Sequence, residues 1–492
     1  MARMNSTTRG AMRTKNHEGH AAYSMGDREK LVTMALTTML SEEKFYGDNT
    51  DELVRLAKSM CAKGDGEFVA KLAVWARTVG NMRSVSHALV AICTRECSGQ
   101  LDSTGKSYVR KAARKVASVR VDDGPEMLAA YKAMYGKGHP HALERGVRDA
   151  LELAKPYGIA KYQLVNRDMK LRDALRITHP DAVRRDTTEA MGKCVDGTLD
   201  VPKSWETEIT KGNTKEAWDE LIHEGRLGIF ALVRNLRSIV KTGADIDSAL
   251  KVLYDSDAIK RSRMLPFRFY TAYRTLVNCG MTSAAVARAL DNAMLVACEN
   301  AEQLPGRTAV LVDISGSMNY GLSAKTDTTC RDVAAVLSAM FAHMTEDCHV
   351  VGFNNEAHPI PMVGTSILSD ISLVPEAYGG TRMEKGFEWL MAHHVDADRV
   401  VVLSDNEVNG SMNWWGRNNM DTIQRKLDEY RRMVGHDVWC HAIDMQGYGT
   451  QQFAGHHVNV IAGWSEQVLR FVGMAESSDG SLVKEIEALS LD

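Results

Sequence analysis

The sequence predicts two architectures in series: an all-α array of HEAT-like helical pairs over residues 1–303 and a doubly wound α/β domain over residues 304–492. Three observations carry that expectation. From residue 27 to 302 one amphipathic segment follows another with no strands between them, whereas beyond Pro305-Gly306 the grammar becomes apolar strand, loop, helix. The charge changes sign at the same place. Residues 1–300 carry 47 Lys and Arg against 37 Asp and Glu, and the rest carry 13 against 26, so halves of +10 and −13 hide inside a net −3.

Length and composition bound the answer first. A chain of 492 residues exceeds what one hydrophobic core serves, and 44% hydrophobic with 25% charged residues describes an ordinary globular protein. Only 10 prolines interrupt it, which favours long helices, since proline removes a donor and clashes with the preceding turn. No apolar run reaches the length of a membrane span, and the stretch from Met1 to Arg9 lacks the apolar centre of a signal peptide, so a cytoplasmic protein is expected. The nine cysteines are scattered and odd in number. Cys93 and Cys97 lie one helical turn apart, but no further ligands are spaced to complete a zinc site, so buried reduced thiols are expected.

In the first half, segments such as Glu67 to Arg77, Ser86 to Ile92 and Ala284 to Met294 carry apolar stripes at the helical period, separated by short Gly, Asp or Asn turns. No strict repeat length emerges; a globular helical bundle is the alternative to the stacked array. At about 100° per residue, Lys106, Arg110, Lys111, Arg114 and Lys115 share one half of a helix whose other half holds Tyr108, Val109, Ala112 and Val116. Likewise Arg226, Arg234, Arg237 and Lys241 lie in an arc away from Ile229, Leu232, Leu236 and Val240. Faces this basic, with few acids among them, suit phosphates better than they suit mere solubility. No aromatic RNP strand, KH loop or zinc finger is present, so base-specific readout is not implied.

In the second half, strands are expected at Thr308 to Asp313, His349 to Phe353, Arg399 to Leu403, Val438 to Ile443 and Val458 to Ile461, alternating with helices near 328–345, 382–393, 421–434 and 464–473. That order gives an open parallel sheet, whose ligand sites lie at the carboxyl edge of the strands. Three oxygen-rich loops fall there: Asp313, Ser315 and Ser317; Gly379-Gly380-Thr381; and Ser404-Asp405. Two carboxylates and three hydroxyls form an oxygen-only shell for a small hard cation that keeps some of its waters, with Mg2+ or another divalent ion as the expected cofactor. Ser315, Ser317 and Thr381 are the expected direct ligands, with Asp313 and Asp405 acting through waters. The bland alternative is that Asp313 and Ser315 cap the next helix and Asp405 starts a turn. A serine hydrolase would need a glycine two positions before the nucleophile and a base in register; neither serine has the former, and His436, His441, His456 and His457 are of types more often found in surfaces or cores.

On these residues the chain resembles the TROVE-domain proteins of the Ro autoantigen family, in their bacterial or phage form. In the basic half the likeness rests on Trp75-Ala-Arg77, Asn81-Met-Arg83-Ser, His141-Ala-Leu-Glu-Arg145-Gly-Val-Arg148, Leu171-Arg172-Asp173-Ala-Leu-Arg176-Ile-Thr-His179, Ala231-Leu-Val-Arg234-Asn-Leu-Arg237 and Arg263-Met-Leu-Pro266. In the acidic half it rests on Asp313, Ser315, Ser317, Thr381 and Asp405, the metal-ion-dependent adhesion site of a von Willebrand factor A domain. The resemblance implies a ring of helical pairs joined to a Rossmann-like A domain. It further implies binding of small noncoding RNA of the Y type and of misfolded RNA, no enzymatic activity, and a single protein copy. It carries Arg145, Arg148, Arg172, Arg176 and His179 over as RNA contacts, with Arg83, Arg234, Arg237 and Arg263, beside Lys111 and Arg114 from the helix face. Leu171 departs from the pattern, standing where the family has an RNA-contacting histidine. A ribonuclease or other protein docking at the metal is the second expected partner. The rival expectation is a metal-dependent protein-interaction module, a cochaperone-like scaffold without RNA.

Overall fold

The computed structural model describes residues 13–15, 21–24, 26–37, 48–97, 99–101, 107–136, 138–164, 167–202, 205–206, 209, 212–300, 303–323, 326–405, 420–445, 450–462, 468–476 and 482–492. They form two compact units, one of Met1–Gly26 with Ser204–Ser481 and one of Asp27–Lys203 with Leu482–Asp492.

The unit around Asp27–Lys203 is helical throughout its described elements. The helix Tyr108–Ala117 shows how the pattern works. The Ser107 hydroxyl caps it by accepting from the Arg110 amide at 3.4 Å; Tyr108, Val109, Ala112, Ala113 and Val116 are buried while Arg114 is exposed. Lys106, expected on the same basic face, lies outside the described residues. This helix packs on His141–Leu151, whose Leu143 and Val147 are fully buried. Gly146 permits the approach: a Cβ there would stand 2.7 Å from the Arg110 carbonyl oxygen and 3.1 Å from the Arg114 nitrogen. Helix Leu171–Thr178 packs on His141–Leu151 in turn.

A short helix, Leu482–Ala488, completes this unit, and the period reading did not anticipate it. Glu485 accepts from Trp75 Nε1 at 3.0 Å, the Glu487 carbonyl accepts from Lys71 Nζ at 2.7 Å, and Arg28 pairs with the Glu487 carboxylate. Farther on, Lys115 donates to the Ser490 carbonyl at 2.9 Å and Lys111 pairs with Asp492 at 2.7 Å. Seven residues are two turns, too few for an apolar stripe to be read from sequence, so its position is set by these partners.

The other unit opens with two short strands, Arg13–Lys15 and Ala21–Ser24, which the all-α expectation for residues 1–303 did not include, and continues through helices including Ile229–Thr242, Ser256–Ser262, Pro266–Asn278 and Ala284–Cys298 before its main sheet. Arg226 precedes the first of these helices and pairs with Glu224, so it is not part of that helical face. The strands, in chain order, are β1 (Arg13–Lys15), β2 (Ala21–Ser24), β3 (Leu304–Asp313), β4 (Gly321–Ser323), β5 (Thr326–Thr329), β6 (Thr345–Phe353), β7 (Ala357–Ile360), β8 (Arg399–Ser404), β9 (Trp439–Asp444), β10 (Thr450–Gln451) and β11 (Val458–Ala462). Six of them form the main sheet in the order β11-β9-β8-β3-β6-β7. Five are parallel; β7 runs antiparallel to β6, with Phe353 opposite Ala357. The sheet is therefore mixed where a parallel one was expected, because the three residues between β6 and β7 allow a hairpin but no crossover. All of β8 and the last six residues of β3 are buried, as continuous apolar runs covered on both faces should be.

The helices before the sheet belong to its unit for a visible reason. Asp332 closes a capping box with Thr329 at the start of helix Cys330–Met344, and its buried carboxylate also accepts from Tyr270 Oη at 3.0 Å and pairs with Arg274 at 3.3 Å. Every cysteine is free: seven are buried, Cys348 is half-buried and Cys279 exposed. Among the described residues no helix is long and apolar enough to cross a membrane.

Candidate functional site

Three loops meet at the carboxyl edge of the sheet. The chain leaves β3 at Asp313, and the Ile314 amide donates to the Phe353 carbonyl of β6 at 2.9 Å while its own carbonyl accepts from Tyr378 at 2.8 Å. Gly316 donates to the Gly379 carbonyl at 3.0 Å, which ties the serine loop to the Gly379-Gly380-Thr381 loop. Gly379 has φ +80, and a Cβ there would stand 3.0 Å from Asn355 Nδ2, so the loop needs glycine on both counts. The helix this loop feeds begins at Glu384, three residues beyond Thr381. The third loop is the end of β8, where Met445 of the β9 end donates to the Ser404 carbonyl at 2.9 Å.

The side chains fit a hard cation. Asp313, Ser315, Thr381 and Asp405 are all buried, and Ser317 is half-buried. Ser315 Oγ and Ser317 Oγ lie 3.1 Å apart. Octahedral Mg2+ with bonds of about 2.0–2.1 Å separates neighbouring ligands by about 2.9 Å, so two hydroxyls at this spacing can share one ion. Asp313 accepts from the Ser315 amide at 2.8 Å through Oδ1 and from the Ser404 hydroxyl at 2.7 Å through Oδ2. With both oxygens engaged, the carboxylate suits the role of charge neutraliser and acceptor from bound waters. Burial first, and the nearby Asp405 second, push its pKa well above the usual carboxylate range despite the two hydrogen bonds that oppose the shift. Two acids held together in a water-poor site are what a cation would relieve. The role of Ser404 was what the sequence did not show: it places the residue beside Asp405 in an oxygen-rich loop, and only the parallel register of β3 and β8 turns its hydroxyl into Asp313's partner.

The basic residues divide into engaged and available groups. Arg83 is engaged, paired with Asp122 at 2.7 Å, Asp123 at 3.1 Å and Glu126 at 3.3 Å. Lys111 is held by Asp492. Arg148 reaches Glu152 at 3.6 Å and Arg172 reaches Asp173 at 3.9 Å, and the buried Nε of each has no hydrogen-bond partner among the described residues. Arg114, Arg145 and Arg176 are exposed and have no ion pair among the described residues; Arg176 donates only to the Val195 carbonyl at 3.3 Å. His179 is exposed at a helix end with φ 45. In the other unit Arg234, Arg237 and Arg263 are likewise exposed without ion pairs among the described residues, Arg263 at a helix end with φ 53. Leu171, at the histidine's place, is fully buried and touches no solvent.

Known proteins align with these features. A family model described as the TROVE domain matches residues 192–313, and one described as the Ro60 vWA domain matches residues 307–437. The second span contains all five metal-site residues. A curated relative, "RNA-binding protein RO60" of Deinococcus radiodurans, is 26% identical over 313 residues, 54% of this chain and 57% of that protein. "RNA-binding protein RO60" of Caenorhabditis elegans is 24% identical over 255 residues, 49% of this chain and 38% of the relative. "Telomerase protein component 1" of Rattus norvegicus is 35% identical over 82 residues, 16% of this chain and 3% of that one. The chain thus spans little more than half the length of the first of these relatives. Among solved structures, the crystal structure of Deinococcus radiodurans RO (RSR) protein superposes with a TM-score of 0.62 at 20% identity, covering 91% of this chain and 99% of that one, which is a likeness of fold.

Proposed function

We propose that this chain, a TROVE-domain protein carrying a Ro60-type von Willebrand factor A domain, binds RNA through its unpaired arginines and holds a divalent cation at the A-domain edge for a partner to complete. The observation that carries the first part is a set of exposed guanidinium groups, Arg114, Arg145, Arg176, Arg234, Arg237 and Arg263, with no ion pair among the described residues. Charges of one sign without internal partners are the footprint of a polyanion site, where phosphates supply the missing counter-charge. The relatives named as RNA-binding proteins support RNA as that polyanion. Small noncoding RNA of the Y type and misfolded structured RNA are the substrate classes the family likeness favours. Buried Leu171 argues that the contact its family position makes is absent here.

At the metal edge Ser315, Ser317 and Thr381 would hold the ion and Asp313 with Asp405 would neutralise it. Bound there, it would act as a Lewis acid for an acidic side chain or a phosphate. Tyr320 and Tyr378, 64% and 57% exposed, lie on the two loops that carry these hydroxyls and are side chains suited to a docking partner. No step of this reading breaks or forms a covalent bond; the role is binding, without catalysis.

Filter binding of a structured noncoding RNA with a free single-stranded end, measured across salt, tests the reading. Tight binding that weakens steeply with salt supports it. A parent protein that retains no RNA at low salt rejects it, as does an Arg145→Glu, Arg176→Glu protein that binds as the parent does.

A further inference from the structure

A second cluster of ligand-type side chains lies at the opposite, amino edge of the same sheet. Asp437 precedes β9, His456 and His457 precede β11, and these two strands pair in parallel with Cys440 against Val458. His456 Nδ1 lies 3.3 Å and His457 Nδ1 lies 3.7 Å from the same Asp437 oxygen, and one ligand atom from each residue falls within 4.8 Å of the others. Zinc bonds of about 2.0–2.1 Å at tetrahedral angles separate ligands by about 3.3 Å, so the two imidazole-to-carboxylate separations stand at or near the edge length of such a site.

The surroundings hold this arrangement in place. Arg431 donates to the carbonyls of His456 at 2.9 Å and His457 at 3.2 Å, and both its Nε and Nη2 reach the Val438 carbonyl. His457 sits at φ 51, uncommon for a residue with a Cβ, and its ring lies 4.3 Å from the Trp439 ring between centroids. Its Nδ1 is a buried atom with no hydrogen-bond partner among the described residues, a costly condition that a bound ion would remove. Asp437 and His456 are exposed, so an ion can enter from solvent.

We propose that Asp437, His456 and His457 form a site for a borderline divalent cation of the Zn2+ class, with a fourth position open to water or to a partner's side chain. Two imidazoles and one carboxylate select such ions over Mg2+, while the hydroxyl-rich edge around Ser315 does the reverse. The sheet therefore presents two chemically different metal sites at its two edges. An ion at the amino edge links the segments leading into β9 and the edge strand β11, and because it binds only the folded arrangement it stabilises that edge.

Calorimetric titration of the full chain with Zn2+ in excess Mg2+, which saturates the hard-oxygen edge, tests the site, with Co2+ as a spectroscopic probe. One Zn2+ equivalent, a strong tetrahedral-type visible Co2+ spectrum, and a loss of affinity on the order of tenfold or more in His456→Ala and in Asp437→Asn are expected. Both residues are exposed, so neither substitution removes core packing. Asp313→Ala should keep its Zn2+; loss of the ion in that variant would locate it at the hydroxyl edge and overturn the proposal. So would a parent that takes up no Zn2+ beside Mg2+, a weak octahedral-type Co2+ spectrum, or a His456→Ala protein that titrates as the parent does.

Discussion

The Ser404 hydroxyl donates to Asp313 Oδ2 at 2.7 Å, joining the ends of the adjacent parallel strands β8 and β3 at the metal edge. Together with the Ser315 amide on Oδ1 it fixes the carboxylate plane before any ion arrives. The same two bonds oppose the burial and the Asp405 charge that make ionisation of Asp313 unfavourable.

Asp313→Asn follows from that conflict. Its amide oxygen can still accept from Ser315, and its NH2 can donate to a Ser404 hydroxyl turned to receive it, while the repulsion from Asp405 disappears. In a chelator the variant should melt higher than the parent, by about 2–4 °C for each kcal/mol relieved in a unit of this size. Added Mg2+ should raise the parent's Tm and leave the variant's unchanged. A variant that melts lower without metal, or responds to Mg2+ as the parent does, contradicts the assignment.

A buried ionic cluster gives an acid-sensitivity prediction. Asp123 is fully buried, accepts from Arg77 Nε and Nη2 at 3.0 and 2.8 Å, and faces His87 at 3.0 Å and Arg83 at 3.1 Å. Burial alone would raise its pKa, but His87 and Arg77 hold it at about 2, below the usual 3.8. A depressed carboxyl pKa contributes stability that is full above the ordinary value and is lost as pH falls from about 3.8 through about 2. Chemical denaturation across that window should show the loss. Asp123→Asn, which leaves Arg77 buried without its counter-charge, should cost on the order of 3–5 kcal/mol at neutral pH and flatten the acid dependence.

Gly146→Ala should separate the helices Tyr108–Ala117 and His141–Leu151. The added carbon would meet backbone atoms at 2.7 and 3.1 Å, which cannot swing aside as a side chain would. A destabilisation of about 1–3 kcal/mol is expected, with an altered Arg145 position on the same helix and weaker RNA binding. A variant as stable as the parent would show that the two helices have room to separate.

Arginines with and without internal partners should respond differently. Arg234→Glu with Arg237→Glu should leave melting unchanged and reduce the slope of log affinity against log salt by about 0.7 for each single-strand phosphate that these side chains no longer neutralise. Arg83→Ala should instead lower the Tm first, because its guanidinium neutralises Asp122, Asp123 and Glu126. Equal slopes for the Arg234, Arg237 variant and the parent would remove that helix from the RNA surface.

The division of labour between local pattern and tertiary structure is visible in particular residues. The helical first half, the strands β3, β8, β9 and β11 and the alternation that builds the sheet were legible to within a few residues, because apolar periodicity is a local property that any core must satisfy. That Asp313, Ser315 and Ser317 share an edge with Asp405 was legible for the same reason: each ends or follows a strand, and parallel strands deliver their ends to one edge. Thr381 instead lies between the helices Ile367–Leu373 and Glu384–Ala392, and the Gly316–Gly379 hydrogen bond ties its loop to that edge. Pairing partners were not legible. That Ser404 orients Asp313, that Arg83 is taken up by Asp122 and Asp123, that Asp492 covers Lys111, and that Asp437 meets His456 and His457 all depend on which chain segments become neighbours. Composition and period record what a residue needs from its surroundings; only the folded chain, by bringing distant residues to within hydrogen-bonding or ion-pairing reach of each other, decides which charges are cancelled and which remain for a ligand.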